Sequence, residues 1–510
     1  MLYLAFIFHM HQPYYKNLLT QQTDLPWVRL HGVKDYLDMV RILENYPDIR
    51  QTFNLVPSLI EQIQDYASKK VKDRYLELSY CPASELTVQE KQFILANFFS
   101  INTEKCIAVH PRYYELFLKR ENNRELNTQD YLDLQVWFNL SWIDSYFRDN
   151  IKDLKKIVSK ARFFTEREKI IVLEKQLEII NNIIPAYKEF SNKGQIEITL
   201  SPYYHPILPL LCNTEIAKEA NSKTILPQIN FSYPEDAGIQ IEQAIKFFKS
   251  VFGFIPSGMW PSEAAVSRQI LPFIERAGIK WIITDEAILF KSLKTKKRSA
   301  QFLYKPYIIK TEEGSLNIIF RDRMLSDLIG FVYHRWNAQD AVNDFMKQLK
   351  NIYTDFKNRD LLVTIAMDGE NAWEYYSNDG KDFLGLLYKR LSESEFIKTT
   401  TVNEYLKTHP AKDEIKQLSA GSWIYGEFNK WIGSPQKNKA WEQLIKARRA
   451  LNEAKLKDDR LVLAWKQMLI LEGSDWFWWY GDDTLGDFDR LFRMHLANFY
   501  SILGARMPDF

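Results

Sequence analysis

The chain is predicted to be α/β, an incomplete (β/α)7 barrel with a helical insertion and a C-terminal helical domain. Three observations carry this expectation. Apolar runs of strand length recur, each followed by polar residues and then a helical pattern, the alternation that builds a parallel sheet. The residues with chemistry to offer sit at the carboxyl end of each run, where parallel barrels gather their sites. The last part of the chain reads as helix almost throughout.

Seven runs are strand candidates: residues 2–8, 50–56, 195–200, 257–260, 280–283, 316–320 and 362–366. The first, ending at His9, is too short to span a bilayer, lacks a basic start and a small-residue cleavage site, and reads as a buried strand. Residues 58–193 show no strand signal and are rich in Glu, Lys and Leu at helical spacing, as in residues 166–184, so they form an insertion. A hairpin over 303–320 turns through Glu312-Glu-Gly314 and supplies the sixth strand. Residues 1–395 therefore make the barrel with its insertion. Residues 396–510 make the helical domain, with helices at 439–456, 461–472 and 487–503.

At 510 residues the chain exceeds one ordinary core. A net charge of +2 gives no strong field for nucleic acid or an anionic membrane. Cys81, Cys106 and Cys212 are odd in number and lack CxxC spacing, which argues against a disulfide framework or a zinc knot. No run approaches 18 uninterrupted apolar residues. The expectation is a soluble, cytoplasmic protein without a membrane span. Aromatics reach 14%, more than a core requires, and Trp clusters late in the chain.

Two segments about 105 residues apart place a carboxylate where an apolar run gives way to small and aromatic residues. They are Gly258-Met-Trp-Pro-Ser-Glu263 and Leu361-Leu-Val-Thr-Ile-Ala-Met-Asp368-Gly-Glu370-Asn-Ala-Trp373. Two such acids are the minimum equipment for cleaving a glycosidic bond, and flanking aromatics offer flat faces to a sugar ring. Pro261 ends the fourth strand where the acid must emerge. Glu263 is equally readable as a helix-start acid with Ser262 as its cap. Gly369 lets the backbone turn between Asp368 and Glu370.

His9-Met-His11-Gln12-Pro13 puts two imidazoles on one side of an extended segment. They suit a metal pair, a floor that hydrogen-bonds sugar hydroxyls, or satisfied core histidines. A metal site needs further ligands, for which His205 and His334 are available without matching acids. The run Trp476–Tyr480 cannot be buried by one helix face, so some of it faces a cleft and some forms a packing seam. Ser422–Gly433 is a similar mixture upstream.

Five blocks, in this order, resemble glycoside hydrolase family 57, which acts on α-glucans. They are His9–Pro13, Gly194–Leu210, Gly258–Ser267, Val363–Tyr376 and Ser474–Asp483, and the resemblance covers nearly the whole chain. It implies a (β/α)7 barrel, a helical domain, and a retaining mechanism with no metal or cofactor. By the same carry-over Glu263 is the nucleophile and Asp368 the general acid/base. His9, His11, Gln12 and His205 line the cleavage subsite, Trp260 and Trp373 flank it, and Asp475 and Trp476 reach in from the helical domain. Pro26–His31 and Ser474–Tyr480 look most like the amylase and amylopullulanase branch.

Retention expects the two carboxyl groups about 5–5.5 Å apart. Glu263 should be ionised beside hydrogen-bond donors. Asp368 should be protonated beside apolar surface and negative charge, with Glu370 a source of that charge. The expected activity is α-1,4-glucan hydrolysis, with α-1,6 cleavage as an addition and glycosyl transfer as the alternative. The expected partner is an α-glucan or maltooligosaccharide. A metal-dependent hydrolase and a non-catalytic α-glucan-binding protein are the readings from other classes.

Overall fold

The computed structural model describes residues 1–295, 298–356, 359–482 and 486–509. Seven parallel strands form its centre: β1 (Leu2–Met10), β2 (Gln51–Leu55), β3 (Ile196–Leu200), β4 (Gly258–Met259), β5 (Trp281–Asp285), β6 (Ser315–Arg321) and β7 (Leu361–Asp368). Each lies within or across one of the predicted runs. Their spatial order is β7-β1-β2-β3-β4-β5-β6.

The two ends of that order meet loosely. Among the described residues β6 and β7 share no ladder. Instead the Asp322 amide donates to the Thr364 carbonyl at 2.8 Å, and the Leu362 amide donates to Tyr304 at 3.0 Å. The antiparallel strand Tyr307–Lys310 pairs with the outer part of β6.

Strand periodicity decides what faces the centre. Ala5 and Ile7 of β1, Ile283 of β5, Ile319 of β6 and Ala366 of β7 pack into one cluster, closed at one end by Val402 and Tyr405. Side chains alternate along a strand. The next residues of the same parity are His9 on β1 and Asp368 on β7, paired in register at the carboxyl ends. Barrel geometry thus delivers both to the same mouth. The narrow β4 depends on Gly258, because a Cβ there would lie 2.1 Å from the buried Trp281 ring.

Residues 58–193 are helices joined by loops, and among the described residues their one strand is the two-residue Lys72–Asp73, paired with Gln22–Thr23. Their longest helix, α1 (Glu166–Asn192), runs eight residues beyond its predicted end and through Pro185. The carbonyl that proline leaves unbonded belongs to exposed Asn181, where water can satisfy it.

After residue 395 the chain rejoins the sheet before turning helical. Ile397–Thr399 pairs with the first residues of β1, because β2 covers only Ile7–Met10 and leaves that edge open. Helices then follow as α2 (Pro435–Glu453), α3 (Asp458–Leu471), α4 (Ser474–Trp479) and α5 (Asp487–Leu503). Among the described residues no helix is long and apolar enough to cross a membrane.

Candidate active site

Glu263 stands on a strained turn. After Pro261 the chain enters a short 3-10 turn in which Glu263 has φ 56° and ψ 27°, and Ala264 has φ 49°. A non-glycine residue in the left-handed region persists only where its surroundings hold it. Here they do: Val266 and Gly421 exchange backbone hydrogen bonds at 2.8 and 3.1 Å, and the Trp423 amide donates to the Glu263 carbonyl at 3.2 Å. The helix-start reading of this acid is therefore corrected, since Ser262 caps nothing and Glu263 is not helical.

Asp368 ends β7 beside His9. The role expected of Gly369 is also corrected. It has no positive φ, and what it provides is proximity, since a Cβ there would lie 2.3 Å from the Met10 sulfur. Its amide donates to the His9 carbonyl at 2.8 Å, extending the β1–β7 pairing past the acid.

A cavity of about 690 Å³ opens over these strand ends, and Glu263 and Asp368 both line it. His9, His11, Gln12, Glu370 and Asp475 share the wall. His9 Nδ1 bonds Asn54 Oδ1 at 2.6 Å, which fixes its ring. His11 Nε2 lies 2.9 and 3.0 Å from the two Asp475 oxygens, tying α4 to β1. Glu370 accepts from the His11 amide at 3.1 Å and from Gln12 Nε2 at 3.2 Å.

Four expected contact residues lie behind that wall. His205, Trp260, Trp373 and Trp476 are each about 1% exposed and do not line the cavity. Each is occupied in support. The His205 ring faces His11 at 3.9 Å, and its backbone carbonyl accepts the Ser474 N–H at 3.0 Å. Trp260 stacks on His9 at 5.0 Å. The Trp373 indole donates to the Gly369 carbonyl at 2.7 Å, and that of Trp476 to the Ile470 carbonyl at 2.6 Å. Rings buried this completely have no face left to offer a sugar.

The aromatic surface comes from other residues. Trp423, Trp478 and Trp479 line the cavity, joined on the insertion side by Trp27, His31 and Trp142. Within Trp476–Tyr480 the split is as the helix period demands: Trp476 and Phe477 are buried, while Trp479 is 41% exposed. Trp478 and Trp479 lie in a run the sequence had singled out, as does Trp423. Trp142 gave no signal, because it ends a helix that is buried on nearly all sides and mixes polar with apolar residues on each. Asp483, in the fifth block, lies outside the described residues.

The electrostatics run against the expected contrast. Burial, with Asp368 facing it and Asp475 adding to it, pushes the Glu263 carboxyl up to about 8. The one pull in the other direction is the Trp423 indole N–H, 2.8 Å from Oε2. Burial also raises Asp368, but an Asn371 amide at 2.9 Å, Arg321 and His11 draw it back. Burial, Asp368 and Asp35 push the Glu370 carboxyl well above the usual range. Two carboxyls facing one cavity repel when both are ionised, which favours a single proton shared by the pair.

A metal reading fits these residues poorly. The nitrogen and oxygen atoms of His11, His205 and Asp475 lie within 4.8 Å of one another. Yet the two imidazoles face each other at 3.9 Å and 30°, so their in-plane lone pairs run alongside instead of converging.

The profile of Glycosyl hydrolase family 57 matches residues 5–417 of the chain. The chain belongs to that family. Among curated relatives, alpha-amylase 1 of Dictyoglomus thermophilum is 23% identical over 262 residues, covering 51% of this chain and 33% of its own length. The chain thus matches about a third of that relative. Solved family 57 structures share the fold. A family-57-type branching enzyme from Pyrococcus horikoshii superposes with TM-score 0.63 at 17% identity, over 98% of this chain and 89% of its own. The 4-alpha-glucanotransferase of Thermococcus litoralis gives 0.55 at 15% identity, over 100% of this chain and 61% of its own.

Proposed function

We propose that this protein cleaves α-1,4-glucans with retention, Glu263 attacking the anomeric carbon and Asp368 handling the proton. The observation that carries the reading is the meeting of these two carboxyls in one aromatic-walled cavity, Asp368 turned inward by the parity of β7 and Glu263 held there by its left-handed turn. Sugar rings need flat apolar faces and hydroxyl partners, and Trp423, Trp479, His9 and Asp475 supply both.

In the free site the shared proton favours Glu263, because Arg321, His11 and Asn371 stabilise Asp368 as an anion. Substrate reverses that preference. The glycosidic oxygen beside Asp368 takes a proton as its bond breaks, and positive charge growing at the anomeric carbon stabilises Glu263 as a carboxylate. The covalent glycosyl-enzyme forms as the leaving sugar departs with the proton. Asp368 then accepts a proton from the incoming hydroxyl and the ester breaks.

Hydrolysis is the first reading. Transfer to a sugar is the second, favoured by a further cavity that meets the first at Asp368. Products from amylose, pullulan and maltotriose separate the two: a steady rise in reducing ends means hydrolysis, and a ladder of longer and shorter chains means transfer. The anomer released first, followed by NMR, tests retention. Turnover undiminished in both Glu263→Gln and Asp368→Asn would overturn the assignment.

A further inference from the structure

Asp368 lines two cavities, whereas Glu263 lines one. The second, of about 930 Å³, runs from Asp368 and Trp423 away from the helical insertion, toward Phe331 and Tyr425. We propose that this second cavity is the arm that holds the leaving end of the glucan and then the incoming acceptor, with Phe331 and Tyr425 as its stacking platforms. The proposal rests on the reading of Glu263 and Asp368 given above and assigns a direction to the chain across them.

The direction follows from which acid reaches where. A nucleophile must stand beside the anomeric carbon, so the sugar that becomes covalently bound lies in the first cavity. A proton donor must reach the oxygen joining that sugar to the next one, so it stands at a boundary. Asp368 stands at such a boundary, and what lies beyond it takes the other side of the bond.

Two features mark the second arm as a binding surface. Phe331 is 69% exposed and Tyr425 is 83% exposed, large aromatics presented to water at one cavity. Tyr425 also has φ 55°, in the left-handed region. It is held there by a knotted turn in which Ser422 Oγ donates to the Glu427 carbonyl at 2.6 Å and Lys291 Nζ donates to the Gly426 carbonyl at 2.7 Å. Strain kept in order to expose a ring belongs with function. The same turn is sewn to the Glu263 turn by the Val266–Gly421 bridge.

The arm suits a neutral ligand. Three of its basic side chains, Arg321, Arg323 and Lys430, are ion-paired to Asp327, Asp285 and Asp482. Apart from Arg335, exposed at the arm's edge and without an ion pair among the described residues, what remains accessible is largely aromatic faces and paired polar groups, the chemistry that recognises an uncharged sugar chain.

The test uses α-maltosyl fluoride as donor, whose small leaving group does not need the second arm, with maltose added as acceptor. The carbon–fluorine bond breaks as Glu263 forms its ester, and fluoride departs with the pair's proton as HF, which leaves Asp368 an anion. A maltose hydroxyl or water then displaces Glu263 and gives its proton to Asp368. The readout is the ratio of transfer to hydrolysis at fixed maltose. Removing both platforms in Phe331→Ala/Tyr425→Ala lowers that ratio by about tenfold, the scale of lost ring contacts. A ratio equal to that of wild type, or both products falling together, would overturn the assignment of the arm. A wild type that leaves the fluoride unconsumed would instead overturn the function itself.

Discussion

The indole N–H of Trp423 donates to Glu263 Oε2 at 2.8 Å, while its backbone N–H donates to the Glu263 carbonyl at 3.2 Å. One residue thus holds both the strained backbone and the carboxylate of the acid. The indole is also the one group that draws the Glu263 carboxyl down against burial. Trp423→Phe keeps an aromatic ring and deletes that donor. An anion that loses a hydrogen bond holds its proton more tightly, so the acid limb of kcat/KM moves upward by roughly one pH unit. A limb that stays in place would show that the indole only packs.

Glu263 makes the fold less stable as pH rises. Its carboxyl is pushed from 4.5 to about 8 in the folded chain. Below pH about 4.5 both states carry the proton and nothing is lost. Between that value and about 8 the unfolded chain gives up its proton while the folded chain must keep it or bury a charge, so stability falls across that window. Glu263→Gln removes the penalty. The variant should melt above wild type at pH 8, with a gain of about 2–4 kcal/mol, and match it at pH 4. Thermal melts at the two pH values decide it.

Glu263→Ala should lose most turnover, about 10³-fold or more, and leave a space beside the anomeric carbon. Azide then restores consumption of α-maltosyl fluoride, and the product is the β-glycosyl azide, because a single displacement inverts the centre. An α-azide, or no rescue together with full activity of the variant, would count against Glu263 as nucleophile.

Gly258→Ala should destabilise without touching the cavity. The added Cβ would lie 2.1 Å from the Trp281 ring, which is buried and held by a hydrogen bond from its indole to Glu197 at 3.1 Å. Overpacking against a ring that cannot move costs about 1–3 kcal/mol. Chemical denaturation reads the loss, and an unchanged midpoint would mean that β4 shifts freely.

The strands were legible because a parallel strand buried on both faces must read as an apolar run. The acids were legible for the same reason, since Asp368 and Glu263 interrupt or follow such runs where nothing local requires a charge. The aromatic wall was only half legible. Trp260, Trp373 and Trp476 lie beside the acids in the chain, yet their indoles point into the core. Trp423 and Trp479 come from segments far away in sequence. Neighbourhood along the chain says little about which face of a turn a ring takes.

From the sequence alone came the α/β class, the order of the elements, and the two acids that the structure brings to one cavity, all properties of runs and of residues at their ends. Only the tertiary structure decided which acid reaches both cavities, that four expected contact residues stand behind the wall, and which groups face each acid. Those depend on through-space burial and on charges from distant segments, such as Arg321 and His11 beside Asp368. A linear pattern contains neither of these.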